Sequence, residues 1–389
     1  MLSDRRPGHP VRNSRRGETP VRRFDYVSLS YFPSLRANSI QTARVCEGLI
    51  EAGGEVTLWT AGNRVPVTLS EGELGRFYGL TSRPRLRRIP AVLSRSNALM
   101  GLVSAVLIRL AGGGSTCLCR TPVLGLALRS AGLKTIVEVH SLTDTSSRSW
   151  QLLQRWPWRR RTTVVAINKQ LQSRLRERVH PSIPVLFEPD CVQASSIQRS
   201  QRDGLNSGRR FQVGYAGRIA QGRGIDVVLR MARSAGWADF KLAGPVDASI
   251  RDWFMTNIGD LANVEWVGEL PPGEVAAFLA DMDCLLAPYA PSTASSESED
   301  TSQWMSPLKV FEYLASGRPM LVSDLAAIRD VVPDDAAILL PPLDAERWTD
   351  ALSDLAQDSL ARARYASAAL DLVARYTWQE RARRLMSAL

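Results

Sequence analysis

The chain's 389 residues give room for two or three domains and for a core that needs no covalent staples. Apolar residues at 44% and charged residues at 23% exclude a disordered or fibrous chain. The net charge of +10 is unevenly placed, with +5 on residues 1–23, +11 on 24–190 and −6 on 191–389, so the N-terminal half suits an anionic partner such as nucleic acid or anionic lipid.

Residues 1–23 read as a disordered basic tail, with no apolar run behind the arginines to make a secretory signal. Phe24–Leu29 then reads as a strand. Asn38 or Ser39 is a candidate cap for a helix to about Ala52, with Ile40, Ala43, Cys46, Leu49 and Ile50 on one face. Gly53-Gly54 ends it, and Glu55–Thr60 is the next strand. Arg83, Arg85, Arg87 and Arg88 form a charge cluster. The longest apolar stretch, Ala98 to Ala111, includes Ser104 and Arg109 and falls short of the ~20 residues of a membrane span. Thr116–Cys119, Thr135–Val139 and Thr163–Ile167 follow as strands. Short apolar runs separated by helices predict a parallel sheet, giving a Rossmann-like lobe over residues 24–192.

Residues 193–210, rich in Ser, Gln, Arg and Gly, read as a linker. A second doubly wound lobe spans 211–370, with strands at Phe211–Ala216, Phe240–Leu242, Val264–Val267, Cys284–Ala287, Met320–Val322 and Ala337–Leu340. Residues 371–389 predict a C-terminal helix returning to the first lobe, after a break near Tyr376-Thr377-Trp378. The expected fold class is therefore α/β, two Rossmann-like lobes whose strands' carboxyl ends face a cleft, where ligands of open α/β sheets bind. The five cysteines show no zinc spacing. Cys46 and Cys284 fall in apolar periodic stretches and read as buried thiols of a reducing cytosol.

Three stretches suit chemistry in that cleft. In Ser306-Pro307-Leu308-Lys309-Val310-Phe311-Glu312, Ser306 suits a helix cap and Pro307 the first helical position. A helix start aimed into a cleft favours phosphate, and Glu312 lies ~9 Å further along, where a carboxylate suits a ribose. An amphipathic helix with a solvated Glu and Lys fits the same spacing. The loop from Gly217-Arg218 to Arg223-Gly224 joins a strand to a helix and carries two guanidiniums, which match phosphate oxygens. A solvated loop fits it equally. His140, at the end of Val137-Glu138-Val139, faces the cleft or caps the next segment. Asp281-Met282-Asp283 mimics a metal–diphosphate motif, but it precedes a strand and reads as a turn.

Together these pieces resemble family 4 glycosyltransferases of the GT-B fold, from Phe24 to the C-terminus. Glu138-Val139-His140-Ser141, Val165-Ala166-Ile167-Asn168, Glu188-Pro189-Asp190, Gly217-Arg218 with Arg223-Gly224, and Ser306 to Asp324 are similar to that family's landmarks in order. Two departures stand out: Trp304 occupies the place of a first Glu, and Arg223 that of a Lys. The resemblance implies retaining, metal-independent transfer of a sugar from a nucleotide-diphosphate sugar to a glycan, lipid-linked or small-molecule acceptor, with no other cofactor. It implies catalytic roles for Arg218, Arg223 and His140, and donor binding by Gly217, Ser306, Pro307, Leu308, Lys309 and Glu312. Ser34, Arg36 and Asn38 fall in its donor and acceptor loop. The interleaved Trp156, Trp158, Arg159, Arg160 and Arg161 suit an anionic membrane surface at the cytoplasmic inner leaflet, though a buried-Trp helix with a solvated basic end fits them as well. A nucleic-acid partner leaves the Ser306–Glu312 block unexplained. A silent sugar- or membrane-binding relative and a nucleotide-sugar epimerase share the same architecture.

Overall fold

A computed structural model of the chain describes residues 21–34, 36–62, 71–94, 96–155, 157–197, 209–291, 306 and 308–389. The expectations for residues 1–20, Trp156, Trp304 and Pro307, and for most of the 193–210 linker, lie outside these residues.

The first lobe is built on β1 (Arg23–Ser28), β2 (Glu55–Ala61), β3 (Arg85–Ile89), β4 (Thr116–Cys119), β5 (Lys134–Val139), β6 (Thr162–Ala166) and β7 (Val185–Phe187). They pair in parallel in the order β3-β2-β1-β4-β5-β6-β7. The second lobe pairs β8 (Phe211–Ala216), β9 (Ala238–Ala243), β10 (Val264–Gly268), β11 (Cys284–Ala287), β12 (Met320–Ser323) and β13 (Ile338–Leu340) in the order β10-β9-β8-β11-β12-β13. Both sheets are therefore parallel and doubly wound. In each, the order reverses beside its first strand, between β1 and β4 and between β8 and β11, which opens a crevice at the carboxyl ends. The central strands read as near-continuous apolar runs because helices cover both faces.

Several local expectations shift. Arg23, assigned to the tail, belongs to β1. Arg85, Arg87 and Arg88 of the arginine cluster fall in the edge strand β3, where charge discourages pairing with another sheet, and Arg83 lies just before it. Helix Ala37–Glu51 begins after Arg36, with no side-chain cap, so neither Asn38 nor Ser39 caps it. All five cysteines are buried and free.

Two crossings join the lobes, and they run side by side. The Val192 N–H donates to the Tyr376 carbonyl at 2.8 Å, and the Trp378 N–H donates to the Val192 carbonyl at 3.0 Å. Helix Ser359–Val373 stays on the second lobe, and helix Trp378–Ser387, capped by Thr377, packs along Ala37–Glu51 on the first. That packing is close enough that a Cβ on Gly48 would stand 2.4 Å from the Trp378 carbonyl oxygen. The chain thus re-enters the first lobe at Thr377, under the carboxyl end of its sheet.

Candidate active site

The second lobe's half of the cleft starts at β8. Tyr313 clamps helix Leu308–Ala315 to the end of that strand: its hydroxyl accepts from the Ala216 N–H at 2.7 Å and donates to the Ala216 carbonyl at 3.2 Å. The helix start is thereby brought against the loop that follows β8. A Cβ on Gly217 would stand 3.7 Å from the Lys309 ammonium. That ammonium lies 4.2 Å from the ring centroid of Tyr215 and 4.4 Å from that of Tyr289. Such contacts hold a cation by the ring's negative face. Burial, reinforced by the neighbouring Arg223, lowers the Lys309 pKa well below the ordinary lysine value.

Arg223 reaches the same ring. Gly224 opens the next helix in the left-handed region (φ 70°), with its backbone against the segment after β11. The Arg223 guanidinium consequently sits 5.9 Å from the Tyr289 centroid. Two cations from motifs far apart in sequence meet at one tyrosine. Arg218 does not join them. Its half-exposed guanidinium pairs with Asp247, with Nε 2.6 Å from Oδ1.

Ser306 bridges the lobes instead of standing free at a helix start. Its hydroxyl oxygen accepts the Asp190 N–H at 2.8 Å. Leu308 opens the helix, half-buried. The Glu312 carboxylate has no hydrogen-bond partner among the described residues, whereas its backbone carbonyl accepts from the Ser316 N–H. Burial raises its pKa, and Arg44 of the first lobe opposes this.

The first lobe contributes a buried polar cluster centred on Glu138. Its Oε1 accepts from Gln41 at 2.7 Å and lies 2.7 Å from His140 Nε2, and its Oε2 lies 2.6 Å from the Arg381 guanidinium. Burial alone would raise Glu138, but Arg381 and His140 outweigh it and hold the carboxylate well below its usual range. His140 is pushed down to about 4 by burial and by Arg120, so its ring is neutral near pH 7. Gln41 also donates to Asp190 Oδ1 at 2.9 Å. Burial and the Glu138 charge push Asp190 up to about 7.

The β1 loop residues stand at the rim. The Ser34 carbonyl and N–H both bond the Tyr78 hydroxyl at 2.8 Å. Arg36 is exposed, its N–H directed at Ser34 Oγ. Asn38 lies in the first turn of its helix, its carbonyl accepting from Thr42. The Trp/Arg segment differs from a surface belt in one respect. Trp158 is half-buried against the first-lobe core, its carbonyl accepting from Arg129 and Thr162, because the segment must turn back into β6. Arg160 and Arg161 are exposed and Arg159 is half-buried. Asp283, of the metal-motif mimic, accepts from Arg209 and the Gln212 N–H at the amino end of β11, on the far side from the cleft.

Sequence reasoning missed Tyr215, Tyr289, Gln41 and Arg381. Tyr289 lies two residues past β11, and position at a strand's carboxyl end was the signal available for it. Arg381 carries no such signal, since only the return of the last helix places it.

Residues 210–358 match the family model described as Glycosyl transferases group 1. The second lobe belongs to that family. The group 1 lobe and the lobe before it share their fold with HepE of Anabaena, a structure in complex with UDP, at a TM-score of 0.68 and 12% identity, covering 94% of this chain and 100% of that one. Together the two lobes have the GT-B architecture of glycosyltransferases. TuaH of Bacillus subtilis, named for teichuronic acid biosynthesis, is 27% identical over 162 residues, 41% of this chain and 38% of that protein. A phosphatidyl-myo-inositol mannosyltransferase of Mycobacterium leprae is 37% identical over 76 residues, 19% of this chain and 20% of that protein. The matched segments thus span well under half of either curated relative.

Proposed function

We propose that the chain transfers a sugar from a nucleotide-diphosphate sugar to a glycan, lipid-linked or small-molecule acceptor, with retention of configuration and without a metal. The observation that carries this reading is the convergence of Arg223 and Lys309 on Tyr289, beside Gly217. Two cations fixed in a partly dry crevice match the charge that develops on a leaving diphosphate, and preorganised groups of this kind are the largest catalytic contribution in many enzymes. The UDP complex of HepE supports a nucleotide donor for the same architecture.

In this mechanism Arg223, Lys309 and the first backbone N–H groups of helix Leu308–Ala315 hold the diphosphate. Arg218 joins them by exchanging Asp247 for a phosphate oxygen. The Glu312 carboxylate, without a hydrogen-bond partner among the described residues, accepts from the ribose hydroxyls. Neutral His140, oriented by Glu138, offers its second ring nitrogen to the donor sugar or the acceptor. As the bond from the sugar to the diphosphate oxygen breaks, the acceptor oxygen bonds to the same face of the sugar and its proton passes to the leaving oxygen. No separate protein base is required. The acceptor rests on the basic first lobe, and the protein works in the cytoplasm. A silent sugar-binding relative is the second reading, favoured by Trp304 in place of a Glu and by the Arg218–Asp247 pair.

A thermal-shift panel of UDP-, GDP- and ADP-sugars, with and without a chelator, tests the donor class, because a ligand of the folded state raises its melting temperature. One donor raising it irrespective of chelator, followed by transfer with the anomeric configuration kept, is the expected result. No shift with any nucleotide sugar overturns the reading, and a shift without transfer or hydrolysis turns it to the silent relative.

A further inference from the structure

Helix Asn97–Leu110 is apolar on both of its faces. Met100, Ala105 and Ile108 enter the core, as a surface helix requires. The outer face should then be polar. Instead it carries Leu99, Leu102, Val106 and Leu110, which are 39%, 54%, 48% and 78% exposed. Their spacing sets them in one stripe along the helix. Val92, in the preceding turn, is 64% exposed. Such contiguous exposed aliphatic surface marks an interaction site rather than scattered single residues.

The surroundings indicate which partner. The stripe ends at exposed Arg109. Beside the same end of the helix, a cavity of about 500 Å³ is lined by Leu107 and Ala111 of this segment and by Arg23, Arg85 and Arg87. Asp25 and Glu55 also line it, against the arginines Arg23, Arg85, Arg87 and Arg88, and Asp25 is engaged by the Trp59 indole N–H at 2.6 Å. Aliphatic side chains flanked by guanidiniums complement acyl chains beneath anionic headgroups. No described helix is long and apolar enough to cross a membrane, so the contact lies in the bilayer surface.

We propose that helix Asn97–Leu110 docks on an anionic bilayer, with Leu102, Val106 and Leu110 in the acyl boundary and Arg85, Arg87 and Arg109 against lipid phosphates. The cavity lies at the amino ends of β1 and β2, and the helix runs to it from the carboxyl end of β3 along the outside of the first lobe. The docking does not rest on the transfer reading, and its test uses no sugar.

The full chain is sedimented with vesicles of phosphatidylcholine alone or mixed with phosphatidylglycerol. Binding to the mixed vesicles, weakened by salt, is expected, with a loss of at least about tenfold in Leu102→Glu/Leu110→Glu and in Arg85→Glu/Arg87→Glu. Both variants alter exposed positions, and unchanged melting temperatures confirm their folding. Absence of binding, or binding that both variants retain, overturns the proposal. So does binding that Arg159→Glu/Arg160→Glu/Arg161→Glu abolishes while the helix variants keep it. A dimer that Leu102→Glu/Leu110→Glu disperses, without vesicle binding, also overturns it by assigning the stripe to a second copy of the chain.

Discussion

The Arg381 guanidinium lies 2.6 Å from the Glu138 carboxylate across a separation of 243 residues, and both side chains are buried. Arg381 also donates to the Pro189 carbonyl at 3.0 Å, and its neighbour Arg384 grips Glu188. The last helix therefore holds both the strand end that carries His140 and the crossing that carries Asp190. A buried pair of this kind adds little over a hydrophobic pair, yet losing one partner leaves an uncompensated charge. Arg381→Met should cost about 3–5 kcal/mol in urea denaturation. Glu138→Gln/Arg381→Met should cost less than Arg381→Met alone. A single variant as stable as the parent would show that the carboxylate finds other compensation.

The cations of the second lobe should rank by what they touch. Lys309→Ala and Arg223→Ala each remove a charge already placed at Tyr289, and each should lower kcat/KM for sugar transfer by roughly 10²–10³-fold, the cost of one preorganised donor. Arg218→Ala should lower it less, because Arg218 must first leave Asp247. Steady-state kinetics on the three variants decide the order. An Arg218→Ala defect larger than the other two would mean that leaving Asp247 costs little and that Arg218 is the main counter-ion of the diphosphate.

Gly224→Ala tests the loop geometry itself. The position is left-handed, and a Cβ there would meet the Pro288 carbonyl oxygen at 1.6 Å. Strain and overlap together should cost about 2 kcal/mol or more. Thermal unfolding measures it, and a neutral substitution would show that the Arg223 loop is free to move away from Tyr289.

The pH dependence of stability should carry two opposed contributions. Asp190 is raised to about 7, so between its unfolded value near 4 and about 7 the folded state holds the extra proton, and stability falls as pH rises. His140 is lowered to about 4, so between about 4 and its unfolded value near 6.5 the unfolded state holds the extra proton, and stability rises with pH. Asp190→Asn removes the first contribution and keeps an acceptor for Gln41. Its melting temperature relative to the parent should therefore climb from pH 4 to pH 7. A flat difference would show that Asp190 titrates normally.

Much of this organisation was legible in one dimension. The alternation of short apolar runs with capped helical periods requires parallel strands under helices, and the return of that pattern after residue 210 requires a second lobe. Lys309, Glu312 and the two loop arginines could be named because glycines and helix starts are local signals. β3 was not legible, because three arginines in five residues mask a strand whose edge position makes charge useful.

Local pattern alone determined that the chain has two sheets, where each turns at its carboxyl end, and which motifs could meet an anion. Tertiary structure alone decided that Lys309 shares Tyr289 with Arg223, that Arg218 is diverted to Asp247, and that the final helix neutralises Glu138. The reason is physical: periodicity and capping act over a few residues, whereas the partner of a buried charge is chosen by whichever distant segment the packing of two lobes carries within reach.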